Sequence, residues 1–332
     1  MKLLLIRFSS IGDIVLTTPV IRCTKQQANG GDVEIHYLTK HKYQSILQPN
    51  PYIDRLITID NNVTEVADQL KAENYDLIID LHNNLRSHHS SILLSLPARR
   101  FKKLSFKKWL YATFKLNLMP DAHVVDRYMD TVSPLGVKND HKGLDYFITD
   151  EDALDKSTLP ATHQENYIGF VIGGQHEGKL YPAEWVAQAC RLLDQPVILL
   201  GGPEDRARGE MIAKAAGEMV YNSCGRYSLN QSATLVRDAD CIITNDTGLM
   251  HIAAALKKRV ISIWGATVPQ FGMSPYLPGA GSKMLEPSRE CDRPYSKLGN
   301  KVFYKPAYNC WKGLEPEVVA AAVLARISHH RS

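Results

Sequence analysis

"DCIITNDTGLMHIAAAL", Asp240 to Leu256, is the stretch on which the fold turns. A short apolar run ends at Thr244, a turn carries Asn245, Asp246, Thr247 and Gly248, and a helix begins near Leu249 with small residues behind it. Strand, polar turn and helix in that order make the repeating unit of a helix-wound parallel sheet. A helix start with free amides, a hydroxyl and a glycine that permits close approach is also a ready anion site. The plainer account is that Asp246 or Thr247 caps the helix. His251 reads first as a buried, hydrogen-bonded core histidine.

The same pattern extends in both directions. "KLLLIRF", "VEIHYL", "LITI" and "DLIIDL" in the first half, and "YIGFVIG", "PVILLGG" and "RVISIWG" in the second, are apolar runs separated by amphipathic segments. Both halves are therefore expected to be α/β. Between them "TDEDALDKSTLPATHQEN", 149–166, is polar, charged and interrupted by Pro160, which suits a connection between domains. The expected organisation is a first Rossmann-like domain over 1–150, a linker over 151–166 and a second Rossmann-like domain over 167–332. The two face each other across a cleft, and the Pro316-led final helix is a candidate to pack back on the first domain.

Composition narrows the class. The 332 residues are 44% hydrophobic and 22% charged, with a formal net charge of +4, the balance of a globular protein long enough for two domains. The charge is too mild for a nucleic-acid binder read from the whole chain. Cysteines 23, 190, 224, 241, 291 and 310 show no metal-ligand spacing, which points to reduced thiols in a cytoplasm. The first four lie in apolar runs, and only Cys291 and Cys310 stand out as a pair to test for a bridge. No secretory signal is expected, because the apolar run after Lys2 stops at Arg7, and no stretch approaches a membrane span.

Several loops carry chemistry. "GGQHEGKL", Gly173 to Leu180, nearly spells a P-loop, but Leu180 stands where a magnesium ligand needs a hydroxyl. What remains is a glycine turn presenting Lys179, either to a phosphate or simply to solvent. In "LLGGPED", Gly202 ends a strand, and Glu204 or Asp205 suits ribose hydroxyls or the first turn of a helix. "FSSIGDIVLTTPV", Phe8 to Val20, places Ser10, Gly12 and the acid Asp13 at the mouth of the first helix, and no GxGxxG occurs, which argues against a nicotinamide dehydrogenase. Asp238 and Asp240 imitate a metal-binding DxD, but one ends a helix and the other leads a strand. "RRFKKLSFKKWLYATFK", Arg99 to Lys115, carries seven basic residues, five aromatics and no acid, a segment suited to an anionic membrane or a phosphorylated acceptor or to an ordinary surface helix.

Taken together, "FSSIGDIVLTTP", "GKLYPAEW", "LLGGPED", "CGRYSLNQSATLVRDADCIITNDTGLMHIAAAL" and "WGATVPQ" resemble the glycosyltransferase family 9 enzymes, the ADP-heptose:lipopolysaccharide heptosyltransferases. The resemblance implies a GT-B fold with the donor bound mainly to the second domain and the acceptor to the first. It implies inverting transfer without metal or cofactor, in which Asp13 is the general base and Lys179 stabilises the leaving diphosphate. It further implies donor contacts from Gly174, Gln175, Gly202, Glu204, Asp205, Tyr227, Ser228, Asp246, Thr247, Gly248, Leu249 and His251, and acceptor-side contacts from Ser10, Gly12 and Arg86. The expected partners are a nucleotide sugar and a lipid-anchored phosphorylated glycan at the inner face of the cytoplasmic membrane, and no nucleic acid. Where relatives carry "CRPCSK" this chain has "DRPYSKLG", with Asp292 and Tyr295 in the cysteine positions. The alternatives are a transferase of the same fold using another nucleotide sugar, a P-loop-like nucleotide hydrolase, and a non-catalytic nucleotide-sugar binding protein.

Overall fold

A computed structural model describes residues 1–288, 293–300 and 311–325. The chain divides into two compact units, the first made of 1–103 and 122–149, the second of 104–121 and 150–332.

In the first unit five strands, β1 (Lys2–Ile6), β2 (Glu34–Lys40), β3 (Arg55–Ile59), β4 (Leu77–Asp80) and β5 (Ala98–Arg100), form an all-parallel sheet in the order β3-β2-β1-β4-β5. Leu3, Leu4, Leu5 and Ile6 of β1 are fully buried, because helices cover both faces of a parallel sheet and a central strand must then be apolar on both sides. Each such side chain contributes about 1.5–3 kcal/mol. The helices of this unit are α1 (Ile11–Val15), α2 (Thr18–Gln27), α3 (Gln44–Leu47), α4 (Ala67–Ala72), α5 (Leu85–Leu94) and, beyond an excursion into the other unit, α7 (Val124–Met129). That excursion is α6 (Ser105–Phe114), which belongs to the second unit.

The second unit holds six parallel strands, β6 (Ile168–Val171), β7 (Val197–Leu200), β8 (Val220–Asn222), β9 (Cys241–Asn245), β10 (Val260–Ile263) and β11 (Lys283–Leu285), in the order β11-β10-β9-β6-β7-β8. Besides α6, its helices are α8 (Ala183–Leu193), α9 (Arg206–Ala216), α10 (Leu229–Asp238), α11 (Gly248–Ala255) and α12 (Pro316–Leu324), the last lying against α8 and β10. Residues 150–163, polar enough to look like a bare connection, make three short 3-10 turns. They pack on this unit through buried Leu159 and through Asp152, which accepts from Asn230 Nδ2 at 2.8 Å.

Cys23, Cys190, Cys224 and Cys241 are free and buried, as their apolar surroundings in the sequence led one to expect. Cys291 and Cys310 lie outside the described residues. Among the described residues no helix is long and apolar enough to cross a membrane.

Candidate functional site

In both sheets the strand order reverses beside the first strand, between β1 and β4 in one and between β6 and β9 in the other. Connections leave such a switch point in opposite directions and open a crevice at the carboxyl ends of the strands, where open α/β sheets bind ligands. Ser10, Gly12, Asp13 and Arg86 fall beside the first of these places and Gly174, Gln175, Lys179 and Asp246 to His251 beside the second, while Gly202 to Asp205, Tyr227 and Ser228 follow the next strands β7 and β8.

In the second unit, the turn after β6 carries Gly173 to Lys179 and the turn after β9 carries Asp246 and Thr247. Parallel pairing of β6 with β9 brings the two turns together. Lys179 Nζ lies 2.6 Å from Asp246 Oδ2, and both side chains are mostly buried. Thr267 Oγ1, from the loop after β10, donates to the same carboxylate oxygen at 3.0 Å. Asn245, buried at the end of β9, accepts from the Tyr181 amide at 3.3 Å and so fastens the lysine turn to the neighbouring strand. Lys179 is therefore an ion-paired group and not a solvated one. Gly299 packs on its side chain, where a Cβ would lie 2.9 Å from Lys179 Cγ.

Helix capping does not explain the α11 turn. Thr247 occupies the cap position with extended backbone and no side-chain hydrogen bond to the helix, while Asp246 is turned to Lys179 and Thr267. The amides of Gly248 and Leu249 thus begin the helix without a side-chain cap from within it. His251 is buried on α11, at 2% exposure.

After β7, Glu204 is exposed whereas Asp205 is buried, and Asp205 Oδ2 accepts from the Gly202 amide at 2.8 Å. Burial pushes the Asp205 carboxyl above the usual aspartate range. Of the two acids offered for a ribose, Asp205 closes its own loop and Glu204 faces outward. After β8, Tyr227 OH lies 3.3 Å from Tyr221 OH, and burial pushes the Tyr227 phenol up to about 12. Ser228 caps α10, its Oγ accepting from the Gln231 amide at 3.1 Å while Gln231 returns a bond to the Ser228 amide at 3.0 Å. Gly174 and Gln175 lie in the same turn as Lys179.

In the first unit, Asp13 sits in α1, directly beyond β1. Its Oδ2 accepts from Ser10 Oγ at 2.8 Å and from the Ser10 amide at 3.2 Å, and its Oδ1 lies 2.7 Å from Arg7 Nη2. Gly12 is buried within α1. Arg86, on α5 beyond β4, places its guanidinium 5.6 Å from the centroid of the Phe8 ring. His82, in the turn between β4 and α5, meets the same ring edge-on at 5.3 Å. Burial, reinforced by Arg7, drives the His82 imidazole down to about 3, so it is neutral at physiological pH. Sequence reasoning gave no site role to Arg7 and His82, nor to Asn245 and Thr267, although the last two stood in the "NDTGLMH" turn and the "WGATVPQ" block. Arg7 left a signal of its own, as a lone charge at the end of a buried strand.

Two parallel sheets, each with its polar residues gathered at the switch point, define a two-domain α/β protein of the class that binds nucleotides at strand ends. The chain belongs to glycosyltransferase family 9 (heptosyltransferase), whose profile matches residues 63–291. It is 28% identical over 291 residues to lipopolysaccharide heptosyltransferase 1 of Campylobacter coli, covering 80% of this chain and 84% of that protein. Among solved structures it resembles a family 9 glycosyl transferase from Veillonella parvula, with a TM-score of 0.79 at 22% identity, covering 98% of this chain and 96% of the other. It also resembles an E. coli heptosyltransferase solved with ADP-2-deoxy-2-fluoro heptose, with a TM-score of 0.65 at 20% identity, covering 90% and 97%. The fold is GT-B, and the protein is a glycosyltransferase of the family that builds the lipopolysaccharide inner core.

Proposed function

We propose that the protein transfers heptose from ADP-heptose to a lipid-anchored inner-core acceptor, with inversion at the anomeric carbon and without a metal ion. The observation that carries this reading is the Lys179–Asp246 pair beside the uncapped start of α11. It is a charge-balanced socket in the free protein, whose lysine and amides suit a diphosphate and whose carboxylate suits the hydroxyls of the attached sugar. The relative solved with an ADP-sugar analogue supports ADP as the nucleotide. Glu204, exposed where Asp205 is closed, is the acid for the ribose.

In this reading Asp13 takes the proton of the acceptor hydroxyl as its oxygen bonds to the anomeric carbon. The electron pair of the breaking glycosidic bond leaves with the β-phosphate of ADP, whose new charge Lys179 and the α11 amides offset. Attack opposite the leaving group inverts the centre. Leu180, which offers no hydroxyl after the lysine, supports charge neutralisation by protein groups instead of magnesium.

The reading places the enzyme at the cytoplasmic face of the membrane, touching anionic lipid through α6 and its flanks. Phe106, Trp109 and Phe114 are 68%, 40% and 63% exposed and pack on one another at 5.8 and 5.4 Å, within a stretch that carries no acid from Arg99 to Lys115.

Calorimetric titration with ADP in the presence of chelator is the test, together with turnover of Asp13→Asn. ADP should bind without metal, and Lys179→Ala should weaken it. Asp13→Asn should lose at least 100-fold in kcat with ADP binding retained. Binding that requires magnesium would return the molecule to the nucleotide hydrolases, and near-normal turnover of folded Asp13→Asn would remove the base.

A further inference from the structure

Arg7 is the last charged residue one would place at the end of a strand as apolar as β1, yet it is buried there, at 7% exposure. Four of its five guanidinium N–H groups meet partners. Nε donates to the Ser9 carbonyl at 2.6 Å, Nη1 to the Leu81 carbonyl at 2.6 Å and to Tyr128 OH at 3.0 Å, and Nη2 meets Asp13 Oδ1 at 2.7 Å. The chain on either side of the switch point, Ser9 after β1 and Leu81 after β4, is thus tied to one planar cation, and the remaining face of that cation holds Asp13. Phe101 and Tyr128 close over it, with ring centroids at 6.0 and 5.8 Å.

We propose that Arg7 is the positioning residue of the general base, fixing one carboxylate oxygen of Asp13 and favouring its ionised form so that the base is ready at the working pH. This rests on the assignment of Asp13 as base. A planar fork suits the task because it fixes direction as well as charge, which the point charge of a lysine does not.

The other groups facing this pair do not duplicate the role. Tyr37 from β2 and Tyr128 from α7 are pushed up by burial and stay neutral. His82 after β4 is neutral, for the reason given above. Lys103 after β5 is pulled down by burial and by Arg7 itself, and Arg86 lies across the Phe8 ring. Arg7 is a cation in direct contact with Asp13, at 2.7 Å.

The test is the pH profile of kcat for the intact protein, with ADP-heptose and inner-core lipopolysaccharide truncated at the acceptor sugar. In Arg7→Gln the acidic limb should move upward by about one to three pH units, the shift an adjacent cation imposes on an aspartate, with kcat partly recovered at high pH. A merely structural role would lower kcat alike at every pH. Arg7→Lys keeps the charge without the fork, so its limb should stay near that of the wild type while kcat falls roughly 10-fold or more and ADP affinity in the second unit is unchanged. If Arg7→Gln does not fold, Arg7→Lys decides the matter, and an unaltered kcat there overturns the proposal. A limb that stays in place in folded Arg7→Gln, with Asp13→Asn inactive, overturns the role of Arg7 and leaves the base. An active Asp13→Asn removes the base itself.

Discussion

Gly173 and Asp205 show how the site is decided one atom at a time. A Cβ on Gly173 would stand 2.2 Å from Asp205 Oδ2, and one on Gly201 2.8 Å from the same oxygen, so two loops leave room for a carboxylate that binds the Gly202 amide. The closeness arises only when β6 and β7 lie side by side, which is why "LLGGPED" offers two acids and no means of choosing between them. Gly173→Ala should push Asp205 off the Gly202 amide and lose about 1–3 kcal/mol of stability, read from the urea midpoint at unchanged slope. A midpoint equal to that of the wild type would mean that Asp205 swings away at little cost and is available to a ligand after all. Arg7 is the corresponding lesson in the first unit. Its charge was visible in "KLLLIRF", and Ser9 and Asp13 follow it closely, but its partners Leu81 and Tyr128 come from distant parts of the chain.

At the scale of elements, the eight apolar runs read from the sequence all became strands, β1 to β4, β6, β7, β9 and β10. The three that escaped notice, β5, β8 and β11, are three-residue strands at sheet edges. An edge strand is covered on fewer sides and needs no continuous apolar run, as the half-exposed Ala98–Arg100 and Lys283–Leu285 illustrate. α6 was legible as an amphipathic basic helix, but its seating was not. Tyr111 meets Phe271 edge-on at 5.9 Å, Lys108 Nζ lies 5.4 Å from the same ring, and Lys115 Nζ donates to the Pro294 carbonyl at 2.9 Å. Those contacts leave Phe106, Trp109 and Phe114 outward. Sedimentation with vesicles containing anionic phosphatidylglycerol at low salt should carry the protein down. Trp109→Ala combined with Lys102→Gln and Lys107→Gln should reduce the bound fraction several-fold, since each basic residue near such a surface is worth about 1 kcal/mol. Equal binding to neutral vesicles, or undiminished binding of the triple variant, would sink the membrane role of α6.

At the scale of the whole molecule, long-range ion pairs close what the sheets begin. Arg22 on α2 grips Asp140 through Nε and Nη2 at 2.9 and 2.8 Å, binds the Gly143 carbonyl at 2.9 Å and also pairs with Asp145. This ties the end of the first unit, 118 residues away, back to an early helix. The Arg22 hydrogen bonds hold the Asp140 carboxyl at about 2, below its ordinary 3.8. A folded-state value lowered in this way stabilises the protein fully above pH 4, and the contribution fades as pH falls from about 4 towards 2. The difference is on the order of 2 kcal/mol. Asp140→Asn should therefore be less stable than the wild type at pH 7 and close the gap by pH 2, as followed by urea unfolding across that range. A gap independent of pH would mean that Asp140 does not titrate with folding.

The sequence by itself determined the order of strands, turns and helices, the family, and the loops in which chemistry resides, because buried parallel strands and glycine turns are written in contiguous residues. Only the tertiary structure decided which side chains meet. Lys179 finds Asp246 across 67 residues because β6 lies beside β9, and Arg7, whose contact with Asp13 is local, finds Leu81 and Tyr128 across 74 and 121 residues because β1 ends against β4 in the interior. Such pairings depend on strand order and register, which bring distant residues to one crevice and which no local pattern encodes.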